Sequence, residues 1–186
     1  HITNRFLPRL IGNQLLISEF YKGSLLLEVE SNPPKAREIW RSQRTDPRNK
    51  ETLNSVMTTP MIKNEHAFGI ANNARGQGIF RCIELATGKL KWTKEDWLAD
   101  RPLAFATAFI VENEDRYLLF ADTGELLIAQ FNHEGFKEIS RATILEPTSN
   151  ARGRRVVWSH PAFADGRMYA RNDHELVCID LRSPKK

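Results

Sequence analysis

The chain has only two cysteines, too few for a disulfide framework. It also lacks any run of about 20 apolar residues, which excludes a membrane-spanning helix. Apolar residues do not recur at helical spacing; they come in short runs bounded by turn residues, which excludes helical bundles and helical solenoids. Metal-ligand patterns are missing too. The five histidines (His1, His66, His133, His160 and His174) are scattered, with no His-x-His, Cys-x-x-Cys or His-Glu-x-x-His. Gly76-Gln77-Gly78 has no helix after it, so it is not a dinucleotide loop. Asp122-Thr123-Gly124-Glu125 is a tight turn with too few oxygens for a calcium loop. Ser159 and His160 are neighbours on an extended segment and point to opposite faces, so they are no nucleophile–base pair.

Charge is mild, +4 from 27 basic and 23 acidic residues. Arg152, Arg154 and Arg155 form one cluster; Arg37, Arg41, Arg44 and Arg48 form another, interrupted by Glu38, Asp46 and Glu51. Both are read as solvated loop charge. With no recognition helix beside them, nucleic acid is not expected as a partner.

What is present is repetition. Pro8-Arg9-Leu10-Ile11, Gly12-Asn13, Gln14-Leu15-Leu16-Ile17 is matched by Pro60-Met61-Ile62-Lys63, Asn64-Glu65, His66-Ala67-Phe68-Gly69. It is matched again by Ala108-Phe109-Ile110-Val111 with a turn widened to Glu112–Asp115, and by Pro161-Ala162-Phe163-Ala164, Asp165-Gly166, Arg167-Met168-Tyr169. The starts at 8, 60, 108 and 161 give steps of 52, 48 and 53 residues. Gly12-Asn13 and Asp165-Gly166 suit two-residue hairpins in which both central residues take positive φ. Each unit reads as four strands, and repeated four-stranded meanders of this length point to a β-propeller. The expected class is all-β, a partial propeller of about four four-stranded antiparallel blades, with units near 1–44, 45–97, 98–145 and 146–186.

Ala86-Thr87-Gly88-Lys89-x-x-Trp92 resembles the tryptophan-docking repeat of the pyrroloquinoline-quinone-type propellers. That family includes bacterial quinoprotein dehydrogenases and the cofactor-free propeller lipoprotein of the outer-membrane protein assembly machinery. The run Arg154 through Leu181 resembles the last blade of bacterial secreted proteins of this type. The first unit keeps Trp40 after Pro33-Pro34, and the third has Ile139-Ser140 where the tryptophan belongs. The resemblance implies that Trp40 and Trp92 pack between neighbouring blades while Thr87 and Gly88 hold the turn between the last two strands. Trp158 is read as core and Trp97 as a loop anchor. Cys82 and Cys178 share one repeat position on third strands, a whole blade apart, and are expected as two buried free thiols. Family members close with seven or eight blades. The chain, beginning at His1 and stopping partway through a fourth unit, is therefore read as a C-terminal half, with a two-chain ring or a four-bladed ring as alternatives. The partners expected are the remaining blades or a second copy.

The candidate ligand surface is polar. His160 stands at the start of an inner strand, with Leu7, Thr59 and Thr107 as its counterparts. Arg171, Asn172, Asp173 and His174 form a polar turn, as Asn72, Asn73 and Arg75 do in the second unit. The resemblance implies a non-enzymatic scaffold or binding module for a protein or polymer in the periplasm or cell envelope, without cofactor. The alternatives are part of a dehydrogenase acting on an alcohol or sugar through pyrroloquinoline quinone and calcium, and a carbohydrate-binding propeller. For the dehydrogenase, the vicinal cysteine pair of the family's quinone site is missing.

Overall fold

The computed structural model describes residues 7–20, 23–42, 52–55, 57–73 and 75–182. Among these residues there is no helix, and the ordered segments are β-strands joined mostly as antiparallel meanders. The first sheet contains β1 (Arg9–Ile11), β2 (Gln14–Glu19), β3 (Gly23–Ser31) and β4 (Pro34–Arg41), paired in that order. The second contains β5 (Met61–Lys63), β6 (His66–Asn72), β7 (Gly78–Glu84) and β8 (Leu90–Lys94). The third contains β9 (Ala108–Asn113), β10 (Arg116–Ala121), β11 (Glu125–Phe131) and β12 (Phe136–Thr143). A two-stranded hairpin, β13 (Ser149–Ala151) with β14 (Arg154–Val156), precedes the fourth sheet. That sheet contains β15 (Ala162–Ala164), β16 (Arg167–Arg171) and β17 (Leu176–Asp180).

The repeat starts read from the sequence fall within a residue of β1, β5, β9 and β15. Turn chemistry explains the match. Asp165 and Gly166 both take positive φ, 50° and 69°, as the tight hairpin demands. Two turns differ from expectation. At Gly12-Asn13 only Gly12 has positive φ, which fits the hairpin turn that takes glycine in its first central position. The third unit's turn is not widened: Asn113 pairs with Arg116, leaving Glu114-Asp115 as the loop. Glu112 and Asn113 extend the ladder at its exposed end, where polar side chains face water.

The basic clusters also differ from the expected loops. Arg37 and Arg41 lie on β4, where Arg37 pairs with Glu28 at 2.6 Å and Arg41 with Glu38 at 2.8 Å. Arg44, Asp46, Arg48 and Glu51 lie outside the described residues, as does His1. Arg152 turns the β13–β14 hairpin with positive φ, and Arg154 and Arg155 stand on β14. The sequence reading did not anticipate this hairpin.

The described residues divide into two compact units, 1–107 with 131–136, and 108–130 with 137–186. In the first, Leu16 and Leu26 from the first sheet pack with Ala67, Ile79 and Ile83 from the second around Leu53 of the connection. Beside them Phe80 meets Trp92, Phe131 and Phe136 edge-on at 5.1–5.5 Å between ring centroids. In the second unit Phe120, Leu126 and Leu145 pack with Val157, Met168 and Ala170.

Two tryptophans of the first unit make the same kind of contact. The Trp40 indole on β4 donates to the Leu85 carbonyl, just after β7, at 2.8 Å. The Trp92 indole on β8 donates to the Asn132 carbonyl, just after β11, also at 2.8 Å. In each case the last strand of one sheet reaches the residue that follows the third strand of the next. Both last strands carry a bulge immediately before the tryptophan. Trp40 faces Leu26 and Glu38 faces Leu27, so Ile39 is the extra residue; Trp92 faces Cys82 and Leu90 faces Ile83, so Lys91 is. A bulge twists the strand and re-aims the next side chain. Around Thr87-Gly88 the turn is held by the Thr87 hydroxyl donating to Glu84, and by the Gly88 N–H donating to the Glu84 carbonyl at 2.8 Å. Gly88 has φ +71°, and a Cβ there would stand 2.9 Å from the Trp40 ring, so a side chain is excluded twice.

Trp97 is fully buried in the irregular segment after β8 and donates to the Gly78 carbonyl at 3.2 Å. Trp158 is half-buried rather than core, with its indole 3.4 Å from Asp122. The cysteines are free, but they differ. Cys82 is buried between β6 and β8, and burial pushes its thiol up to about 12. Cys178, expected buried, is exposed. It lies on β17, which among the described residues has a neighbour on one side only, so nothing covers it as Trp92 covers Cys82.

Trp92 is half-buried, so Trp92→Ala removes part of an aromatic contact and one hydrogen bond. Urea denaturation should show a loss of about 2–4 kcal/mol. Trp92→Phe, which keeps the ring packing, should lose only about 1 kcal/mol. Equal losses for the two variants would contradict the hydrogen bond to Asn132.

Candidate functional site

The candidate residues fall in both units. Asn72, Asn73 and Arg75 belong to the first; His160, Arg171, Asn172, Asp173 and His174 belong to the second. Asn73, Asn172 and Asp173 are bound into turns, and His160 stands apart from both turns.

In the first unit Asn72 ends β6 and is buried, with its carbonyl accepting from the Asn54 amide at 3.0 Å. Asn73 is the centre of its loop. Its side-chain oxygen accepts the N–H groups of Arg75 at 2.9 Å and Gln77 at 3.0 Å, the local bonding by which asparagine makes turns. Of the three, Arg75 is the exposed side chain.

In the second unit Asn172 is also buried. Its side-chain oxygen accepts the N–H groups of His174 and Glu175, both at 2.8 Å, and its amide donates to the Glu146 carbonyl at 3.0 Å. Asp173 accepts the hydroxyls of Thr148 at 2.8 Å and Ser149 at 2.6 Å. Those two residues therefore clamp the 146–149 connection onto the turn. Arg171 and His174 are exposed. His160 is exposed too, with its ring 3.9 Å from that of Phe109. The side chains left outward are thus Arg171, His174 and His160 here, and Arg75 in the first unit. His160's counterparts Leu7 and Thr59 meet in the first unit, where the Leu7 N–H donates to the Thr59 hydroxyl at 3.3 Å.

Two internal ion and hydrogen-bond arrangements were not legible in the sequence. Arg154 forms an ion pair with Asp122, whose side chain is fully buried, so this arginine is not loop charge. Arg81, on β7, is 1% exposed and bonds to the Thr52 carbonyl and to Asn54. Burial pulls its guanidinium down to about 10, which leaves it charged at neutral pH. With Ser18 and Ser24, which both donate to the Leu53 carbonyl, these groups make a polar seam around residues 52–55. An arginine in an apolar-looking strand signals this seam only once its face is known.

Among the described residues no group of three His, Cys, Asp or Glu side chains is placed to hold a metal ion. Among the described residues there is no helix long and apolar enough to cross a membrane, which says nothing of membrane β-barrels.

The fold was then compared with known proteins. BamB from Moraxella catarrhalis superposes with a TM-score of 0.54 at 19% identity, over 92% of this chain and 41% of that protein. The fold is that of a β-propeller. The chain spans 41% of the length of the BamB structure it matches. No family model matches the sequence. No curated protein matches it either.

The Ser149 and Thr148 hydroxyls hold the Asp173 carboxyl below its ordinary 3.8. A depressed folded value means this tie stabilises above the unfolded pKa and is lost as pH falls through the folded one. A carboxyl NMR titration should give Asp173 a midpoint below 3.8 in the wild type, rising toward 3.8 in Ser149→Ala. An unmoved midpoint would contradict the clamp.

Proposed function

We propose that this chain is a non-enzymatic propeller scaffold that presents a polar surface to a protein or polymer partner at the bacterial cell envelope. The observation that carries this is where the polar side chains go. Asn73, Asn172 and Asp173 are consumed in stiffening their turns; Arg75 and His174 project from turns so held, Arg171 stands exposed at the end of β16, and His160 is exposed ahead of β15. Rigid turns carrying exposed, adaptable side chains suit recognition and offer no acid–base pair or nucleophile for chemistry.

The likeness to BamB, an envelope propeller of the family the docking repeat resembles, supports the same reading, as does the resemblance to the family's cofactor-free branch. Completion of the ring by further blades or a second copy belongs to the proposal. So does a working state without cofactor.

Arg171→Glu with His174→Glu should weaken partner binding about tenfold or more, because reversing rim charge opposes encounter and contact. The melting temperature should stay within a degree or so of wild type, since surface changes cost little. The protein should neither bind pyrroloquinoline quinone with calcium nor reduce a dye acceptor in the presence of alcohols or sugars. Saturable quinone binding with dye reduction would replace the scaffold reading with the dehydrogenase one.

A further inference from the structure

Two histidines far apart in the chain meet in the first unit. The rings of His66 and His133 lie 5.1 Å apart between centroids, with their planes inclined by 22°. His66 is half-buried at the start of β6, and His133 is exposed in the turn after β11.

Each histidine is held by its own turn. The His66 Nδ1 stands 2.6 Å from the Asn64 carbonyl, and a carbonyl only accepts, so Nδ1 carries a proton. In the neutral ring this fixes the tautomer and leaves the lone pair on Nε2, the arrangement that orients histidines as metal ligands. At the other ring, the Asn132 side-chain oxygen accepts the N–H groups of Glu134 at 2.7 Å and Gly135 at 3.3 Å. The Asn132 N–H donates to the Gly135 carbonyl at 3.0 Å, and the Asn132 carbonyl accepts the Trp92 indole. The residue before His133 is thus bonded through side chain and backbone alike, and both rings stand on rigid supports, as a built site requires.

The separation suits one shared ion. A metal about 2 Å from one nitrogen of each ring, with the two bonds near a tetrahedral angle, puts the ring centroids roughly 5 Å apart. The surrounding charge is mixed. In the ladder His66 faces Lys63 on one side and Glu84 on the other. The Glu84 carboxyl lies below its ordinary 4.5, held there first by the Thr87 hydroxyl and then by the charges of Lys91, His66 and Lys89. An ionised carboxylate therefore stands beside the pair and favours a cation.

We propose that His66 and His133 form a two-histidine site for a divalent transition-metal ion of the class that prefers imidazole, such as zinc or copper. Nε2 of His66 and one ring nitrogen of His133 bind the ion. Water fills the remaining positions, since among the described residues no third His, Cys, Asp or Glu joins the set. The bound ion staples the start of β6 to the 132–135 turn within the first unit. This site uses none of the partner-surface residues above and asks no catalysis of the ion.

The test is a zinc titration of the full chain at neutral pH, read by NMR of the imidazole nitrogens. His66 and His133 should shift along one saturation curve with a dissociation constant below about 100 μM, because the second ring binds intramolecularly once the first has bound. His1, His160 and His174 should follow separate, weaker curves. His133→Gln should weaken zinc binding at His66 about tenfold or more, and His66→Gln should do the same at His133. Zinc should raise the melting temperature of the wild type more than that of either variant. Separate curves for His66 and His133, or one shared weak curve at all five histidines, would overturn the proposal and leave the pair as a packing contact. No response at either ring up to about 1 mM zinc would overturn it too. The wild-type titration decides the matter even if a variant fails to fold.

Discussion

The structure of the first unit depends on a donor that must find one acceptor. An indole N–H half-removed from water needs a partner, because an unmade bond to a desolvated donor costs about 1–3 kcal/mol. Trp40 and Trp92 each find a backbone carbonyl at the corner where the next sheet leaves its third strand. A carbonyl at a turn is free for this because the ladder no longer uses it. The first two sheets are thereby joined by a directional contact, and the surrounding apolar packing of Leu26, Ile83 and Leu85 supplies the larger, non-directional share. Gly88 shows how tightly the corner is specified, since the Trp40 ring occupies the space of a side chain there.

Much of this was legible in the sequence for a local reason. Two-residue turns and short apolar runs are decided by neighbouring residues, so Asp165-Gly166 and the starts of β1, β5, β9 and β15 could be read directly. The bulges at Ile39 and Lys91 could not, because a bulge is a mismatch between two strands and neither strand shows it by itself. The targets of the tryptophans lie 45 and 40 residues onward, and any carbonyl in the next repeat is chemically equal until the register is fixed. Cys178 misled for a related reason. It has the strand position of Cys82, but burial comes from the strand opposite, not from the position.

The candidate site was legible as polarity and not as role. Asn73, Asn172 and Asp173 look like ligand contacts in a sequence, yet their side chains close turns and clamp a connection. Arg154 likewise looks like solvated charge and is spent on buried Asp122. Asparagine, aspartate and arginine serve turns, ion pairs and ligands with the same atoms, so geometry has to sort them. What remains pointing outward is a small set of side chains: Arg75, Arg171, His174 and His160.

The central claim is that the Trp40 and Trp92 indoles are each tied to one backbone carbonyl, those of Leu85 and Asn132. Hydrogen exchange at the indole N–H groups, followed by NMR with each tryptophan assigned by substitution, tests it most directly. Trp40 and Trp92 should exchange far more slowly than a free indole and in step with the backbone amides of β7, since releasing them requires opening the packing of the first unit. Exchange of either indole at the free rate, while those amides stay protected, would contradict the account.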